Sequence, residues 1–183
     1  MKLIKTKNKY KGFSLLEILL VLAVAAGLVI GAFMVYPKVQ MSQKIEKESK
    51  NITTIQAGVK SLYSGRAKLS SLNETVLIQS KSVPDNMLQD GKLINEWKGE
   101  VTVEYSGNHG KYNIIYNNVP VEACSRFISA VSGNFEIITI YNSGGSFDIK
   151  NKEENFGIDT EKTAKGCNSD QSSTIYFTSI KWG

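Results

Sequence analysis

The sequence is poor in the side chains that carry most enzyme chemistry. Its 183 residues include one histidine, His109, and two cysteines, Cys124 and Cys167. The segment Gly107-Asn108-His109-Gly110 predicts a hairpin turn. No phosphate-binding loop, H-E-x-x-H motif or cysteine-histidine cluster accompanies it. The sequence therefore predicts a protein that is not an enzyme and that has no catalytic residue, cofactor or metal ion.

Acidic side chains are absent from the first twelve residues, which hold five lysines. The whole chain has 22 basic and 17 acidic side chains, a net charge of +5. Without the five N-terminal lysines, the 17 remaining basic side chains balance the 17 acidic ones. The overall charge therefore gives no support to a basic surface for nucleic acid, and we do not expect nucleic-acid binding.

Residues 13–36 form an apolar run whose only charged side chain is Glu17. As an α-helix at about 1.5 Å per residue, the run is about 36 Å long, enough to cross a hydrocarbon core of about 30 Å. A secretory signal peptide has a shorter apolar region followed by a cleavage site of small residues, and this segment has neither. The lysines before the run favour a cytoplasmic N-terminus, with the rest of the chain beyond the membrane.

The junction before this run carries the most specific motif of the chain. The residues Lys11-Gly12-Phe13-Ser14-Leu15-Leu16-Glu17 place a glycine after a basic leader, then an aromatic residue, and a glutamate inside the apolar helix. This motif resembles the class III signal of type IV prepilins. The resemblance implies cleavage between Gly12 and Phe13 by a prepilin peptidase, N-methylation of Phe13, and a role for Glu17 in filament assembly.

Two hypotheses explain Glu17. A carboxylate within a bilayer costs a few kcal/mol and marks a functional position. After cleavage, the amine of Phe13 on a neighbouring helix could pair with Glu17 and fix the stagger of the two helices. Alternatively, Ser14 and Glu17 have the spacing of a capping box at a helix N-terminus.

The apolar run also contains Gly27 and Gly31, and Pro37 follows it closely. Two glycines four residues apart allow close packing of helices in lipid. Glycines and a proline also favour a bend or a locally unwound turn. The sequence leaves helix packing and a bend as equal alternatives.

Beyond Pro37, apolar residues recur at helical intervals as far as Ser64-Gly65, which predicts an amphipathic continuation of the same helix. The remaining chain alternates in the manner of short strands and is predicted to be α+β with an antiparallel sheet. The long helix packed on this sheet would give a ladle shape. The predicted organisation is a leader at 1–12, a transmembrane or filament-core helix at 13–36, an amphipathic helix at 37–65 and a globular domain at 66–183. Within that domain we predict helices at 72–79 and 121–132, a helical or irregular stretch at 87–97, and strands at 101–105, 112–116, 135–141 and 174–181.

The two cysteines lie beyond the predicted membrane segment, in an oxidising compartment. We therefore expect a disulfide between Cys124 and Cys167, which would tie the helix at 121–132 to the polar stretch at 151–173. The alternative is two free thiols or a metal-binding pair.

Three stretches, at 58–87, 112–124 and 166–177, resemble type IVb pilins, nearest to the bundle-forming pilins of enteric bacteria and the pilins of conjugative thin pili. The resemblance implies that the last strand inserts into the sheet and that the region bounded by Cys124 and Cys167 lies on the filament surface.

The resemblance implies the major structural subunit of a type IV pilus, a homopolymer that serves adhesion, aggregation or mating contact with a host or bacterial surface. Its expected partners are copies of itself, the prepilin peptidase, an inner-membrane assembly platform with its ATPase, and an outer-membrane secretin. We expect the precursor in the inner membrane and the mature protein in an extracellular pilus. The alternative is a minor or tip pilin with a binding role, or a pseudopilin of type II secretion.

Overall fold

The computed structural model describes residues 14–65, 68–107, 110–154, 157–168 and 172–180. The chain divides into two compact units, one up to Gln40 and one from Met41 onward. We refer to the described part of the first unit as the N-terminal segment and to the second unit as the head.

Helix α1 runs from Leu15 to Tyr63 and ends where Ser64-Gly65 predicts its end. Within the head, α1 buries one stripe of apolar side chains, because these residues recur at intervals of three, four or seven positions. The buried members of the stripe are Ile45, Ile52, Ile55, Val59 and Tyr63.

The head contains one seven-stranded sheet in which every neighbouring pair of strands is antiparallel. The strand order is β1-β2-β3-β4-β7-β5-β6, so the last strand lies between β4 and β5. This arrangement confirms the predicted α+β class with an antiparallel sheet. The strands are β1 (Leu88–Gln89), β2 (Lys92–Ile94), β3 (Glu100–Tyr105), β4 (Lys111–Val119), β5 (Ile137–Asn142), β6 (Gly145–Asn151) and β7 (Ser173–Ile180).

Among the described residues of the head, three further α-helices accompany the sheet, and short 3₁₀ turns connect several elements. The side chain of Asn73 caps the first of these helices by accepting a hydrogen bond from the N–H of Val76. The helices are α2 (Glu74–Gln79), α3 (Val121–Val131) and α4 (Thr160–Cys167), and the 3₁₀ turns are Leu69–Ser71, Asp85–Met87, Ser132–Asn134 and Lys152–Glu154.

The core of the head is aromatic at its centre. The ring of Phe177 on β7 lies 5.4 Å from that of Phe127 on α3, 6.0 Å from that of Tyr116 on β4 and 5.1 Å from that of Phe135. All four side chains are buried. Because β7 is inserted in the middle of the sheet, its inward-facing side chains join both halves of the core.

The prediction for 87–97 was wrong, because this stretch forms the hairpin β1–β2. Leu88 pairs with Leu93 and Gln89 with Lys92, leaving a two-residue loop. The loop is Asp90-Gly91, with φ of 50° and 78°. Asp-Gly is the usual sequence of a two-residue hairpin loop, so this dipeptide was the feature of the sequence that indicated a hairpin here.

The stretch at 145–173 is also more ordered than its sequence predicts. It contains the unpredicted strand β6, and the polar part contains helix α4. Contacts with the rest of the head, rather than local hydrophobic periodicity, determine both elements.

Candidate assembly helix and disulfide-bounded region

The N-terminal segment exposes nearly all of its apolar side chains. Leu15 is 77% exposed and Phe33 is 73% exposed, and the described large apolar residues between them are at least half exposed. By length and composition, this part of α1 can cross a membrane. A continuous apolar surface of this length requires a cover of lipid or of other apolar helices.

Glu17 lies in the first turn of α1. The backbone N–H groups of Glu17 and Ile18 donate to the carbonyl oxygen of Ser14, at 3.0 and 3.2 Å. Among the described residues, however, neither side-chain hydrogen bond of a capping box is formed between Ser14 and Glu17. The capping hypothesis is therefore not supported by this geometry. Gly12 and Phe13, the predicted cleavage and methylation residues, lie outside the described residues.

Helix α1 continues through Gly27, Gly31 and Pro37 without an unwound turn. A methyl group added at either glycine would meet no atom within 4 Å. Pro37 has no N–H, so the carbonyl of Phe33 lacks its usual helical partner. The structure thus leaves the glycine face open to a second helix, and the role of these residues in packing stays a prediction.

Cys124 on α3 and Cys167 at the end of α4 form a disulfide, with 5.6 Å between their Cα atoms. Both cysteines are buried. The predicted disulfide is confirmed, and free thiols or a metal-binding pair at these positions are excluded.

Helix α4 is held against the sheet by more than the disulfide. A Cβ added at Gly166 would lie 2.9 Å from Cδ1 of Ile140 and 3.3 Å from Cβ of Phe147, so glycine permits this close approach. The amide of Asn142 donates to the carbonyl oxygen of Gly166 at 2.6 Å. Asp159 caps the helix by accepting from the N–H of Lys162 at 2.9 Å. The contacts of Gly166 fix helix α4 to β5 and β6 within the disulfide-bounded region.

The outer side of α4 is polar and exposed. Glu161 and Lys165 form an ion pair of 2.7 Å, and their side chains are 78% and 63% exposed. An ion pair in this environment contributes little to stability, because water screens it. This side of the helix is therefore free to serve as a surface.

The described residues contain no group of three or more histidine, cysteine, aspartate or glutamate side chains that could hold a metal ion. His109 lies outside the described part of the chain. The candidate functional features of the described residues are an exposed apolar helix and a disulfide-bounded surface. Neither of them is a catalytic arrangement.

Comparison with known proteins agrees with these features. The family model described as PilS N terminal matches residues 42–180. The chain is 25% identical over 166 residues to two proteins named major structural subunit of bundle-forming pilus. One is from Escherichia coli O111:H- and the other from Escherichia coli O127:H6 (strain E2348/69 / EPEC), and each alignment covers 88% of this chain and 84% of the relative.

Two solved structures share the fold. The type IV b pilin from Salmonella typhi has a TM-score of 0.57 and 19% sequence identity, covering 75% of this chain and 99% of its own. TcpA, a type IV pilin from Vibrio cholerae El Tor biotype, has a TM-score of 0.55 and 13% identity, covering 74% and 98% respectively.

Proposed function

Because the chain belongs to the PilS N-terminal family and is a type IVb-like pilin, we propose that it is the major subunit of an extracellular pilus, polymerised through its N-terminal helix. As a pilus subunit it is a structural protein and not an enzyme. The observation that carries the proposal is the exposed apolar surface from Leu15 to Tyr36 on a chain whose head has a complete core of its own. In a homopolymer, copies of this helix cover one another.

The precursor is processed at its N-terminus. Prepilin peptidase removes the leader at 1–12 by cutting between Gly12 and Phe13, and Phe13 is then N-methylated. The new amine of Phe13 is a cation at the end of an apolar helix. It pairs with Glu17 of a neighbouring copy, because an unpaired charge in this environment costs several kcal/mol. Gly27 and Gly31 permit close approach of the packed helices.

The subunit passes through two locations. The precursor is held in the inner membrane by the helix at 13–36, with its N-terminus in the cytoplasm and its head in the periplasm. An assembly platform with its ATPase extracts it, and the filament leaves through an outer-membrane secretin. The disulfide-bounded region lies on the filament surface, where the exposed polar side of α4 contacts water and host or bacterial surfaces.

The substitution Glu17→Gln tests the proposed assembly contact, because it keeps the size of the side chain and removes its charge. The matched control is Glu46→Gln, which removes an exposed carboxylate elsewhere on α1. We expect Glu17→Gln to abolish sheared surface filaments while the protein remains in the membrane fraction, and Glu46→Gln to leave filaments intact. Normal filament yield from the Glu17→Gln variant would contradict the assembly role.

The amount of the chain in the filament separates a major subunit from a minor one. A band that dominates the sheared surface material supports the major subunit. A trace amount would instead assign the chain to the minor or tip pilins, and its confinement to the cell envelope would assign it to the pseudopilins.

A further inference from the structure

Three side chains of α1 converge on one residue of the turn between β2 and β3. Glu48 accepts a hydrogen bond from the backbone N–H of Glu96 at 2.8 Å. Lys44 donates to the carbonyl oxygen of the same residue at 3.3 Å, and Lys47 pairs with its carboxylate. We refer to these four residues as the helix–turn clasp. It joins α1 to the turn between β2 and β3 through three side chains of the helix.

Glu48 differs from the other members of the clasp because it is buried, with 1% of its surface exposed. Its Oε1 atom accepts from Glu96, whereas its Oε2 atom has no hydrogen bond of standard geometry with any described residue. The same is true of the Tyr116 hydroxyl and the Asn51 amide nitrogen, which are both buried. Both groups are nevertheless close enough to Glu48 to lower the pKa of its carboxyl. The carboxyl therefore lies in a buried environment with polar neighbours.

The charges around Glu48 do not favour an ionised carboxylate. On its own helix, Lys44 and Lys47 both bond Glu96, and neither forms an ion pair with Glu48 within the described chain. From the turn, the Glu96 carboxylate faces it, and from β4 the neutral phenol of Tyr116 faces it. Burial raises the pKa of the Glu48 carboxyl above its ordinary value of 4.5, and the charge of Glu96 adds to the rise. Hydrogen bonds from Glu96 N–H, Asn51 and Tyr116 oppose it.

We propose that Glu48 makes the contact between α1 and the β2–β3 turn depend on pH. As a neutral carboxylic acid it stabilises this contact, and its ionisation weakens the contact. The protonated group satisfies both of its oxygen atoms: one still accepts from Glu96, and the other gains a hydrogen to donate to the Tyr116 oxygen. In the ionised state the Tyr116 hydroxyl can donate to that oxygen instead, but a negative charge is then buried away from water and faces the Glu96 carboxylate. The inference concerns the head alone and does not depend on filament assembly.

The sign of the pH dependence follows from proton binding. Between the unfolded value of 4.5 and the higher folded value, the folded head binds more protons at this position than the unfolded chain. Its contribution to stability is therefore complete below pH 4.5 and is lost as pH rises through the folded pKa. For one proton, the folding constant can fall at most about tenfold per pH unit.

The test compares the full chain in detergent with its Glu48→Gln variant, each unfolded by urea at several pH values. Both carry Trp182→Phe, so that fluorescence reports Trp97, which is 8% exposed and lies in the turn of the clasp. The folding constant of the parent is divided by that of Glu48→Gln at each pH, because the pH dependence from all other titrating groups is common to both proteins and cancels in this ratio. We expect this ratio to fall as pH rises above 4.5, with the exposed control Glu46→Gln showing no such fall. A constant or rising ratio would overturn the proposal.

A second measurement keeps the proposal testable if the Gln variant folds poorly. The ¹³C resonance of the Glu48 carboxyl is followed against pH in the parent protein. A titration midpoint above 4.5 is expected, and a midpoint at or below it would overturn the proposal whatever the variant does.

Discussion

Removal of the Cys124–Cys167 disulfide is expected to destabilise the head strongly. The cysteines are 43 residues apart in sequence. Closing a loop of this length lowers the entropy of the unfolded chain by the equivalent of about 4 kcal/mol at 25 °C. A domain of this size is typically stable by about 5–15 kcal/mol, so the variant Cys124→Ala/Cys167→Ala should lose a large part of its stability.

Urea unfolding of the full chain in detergent measures this loss. With a slope of about 2 kcal/mol per molar urea, the midpoint should fall by about 2 M. Ser129→Ala is the matched control, because it changes an exposed residue of α3 and leaves the disulfide in place. Its midpoint should stay close to that of the parent.

The loss of local stability in the double variant should be largest at helix α4. This helix keeps its cap at Asp159 and the bond from Asn142 to Gly166, but it loses the disulfide cross-link to α3. Amide hydrogen exchange should therefore accelerate most over Thr160–Cys167. Equal midpoints for the parent and the double variant, or two titratable thiols in the native protein, would refute the reasoning.

Two further substitutions test the packing and electrostatics of the head. Gly58→Ala places a Cβ 2.2 Å from the carbonyl oxygen of Ser82, so urea unfolding should show a loss of about 1–3 kcal/mol, whereas Gly133→Ala, which meets no atom within 4 Å, should lose much less. Equal losses would contradict the close packing of α1. Burial raises the pKa of Tyr112 from 10.0 to about 12, so its contribution to stability is present below pH 10 and is lost as pH rises through about 12. Because burial also raises the pKa of Tyr116, absorbance titration should show that Tyr112→Phe has one late-ionising tyrosine fewer than the parent, and ionisation of Tyr112 near pH 10 would contradict its burial.

The parts of the fold that were predictable have strong local signals. The apolar run at 13–36 and the helical spacing of Ile52, Ile55 and Val59 indicated one long helix, and α1 has the predicted end. Alternation of apolar residues located β3, β4, β5 and β7 to within a few residues. Two cysteines beyond a membrane segment were sufficient to predict their disulfide.

The unpredicted elements depend on contacts between distant residues. Helix α4 is polar, and its position is fixed by the Cys124 disulfide and by the contact of Gly166 with Ile140. Strand β6 has mostly exposed or half-buried residues, so its sequence lacks a clear alternation. In the hairpin β1–β2, the Asp90-Gly91 signal was present but the strands are only two and three residues long.

The position of the Glu48 side chain was also not predictable from the sequence, because it depends on contacts with distant residues. In sequence it resembles the exposed charged residues Glu46, Lys47 and Lys50 around it. Only the folded head shows that Glu48 points inward, towards Glu96 and Tyr116. A helical repeat gives the face of a residue approximately, and it does not reveal a buried polar partner from a distant turn.

The most direct test of the central claim is the intact mass and N-terminal sequence of this protein in sheared cell-surface material, measured with and without reduction. The account predicts an abundant chain that begins at methylated Phe13 and is lighter than its reduced form by the two hydrogens of one disulfide. A chain that still begins at Met1 and is found only in the inner membrane would contradict processing and polymerisation.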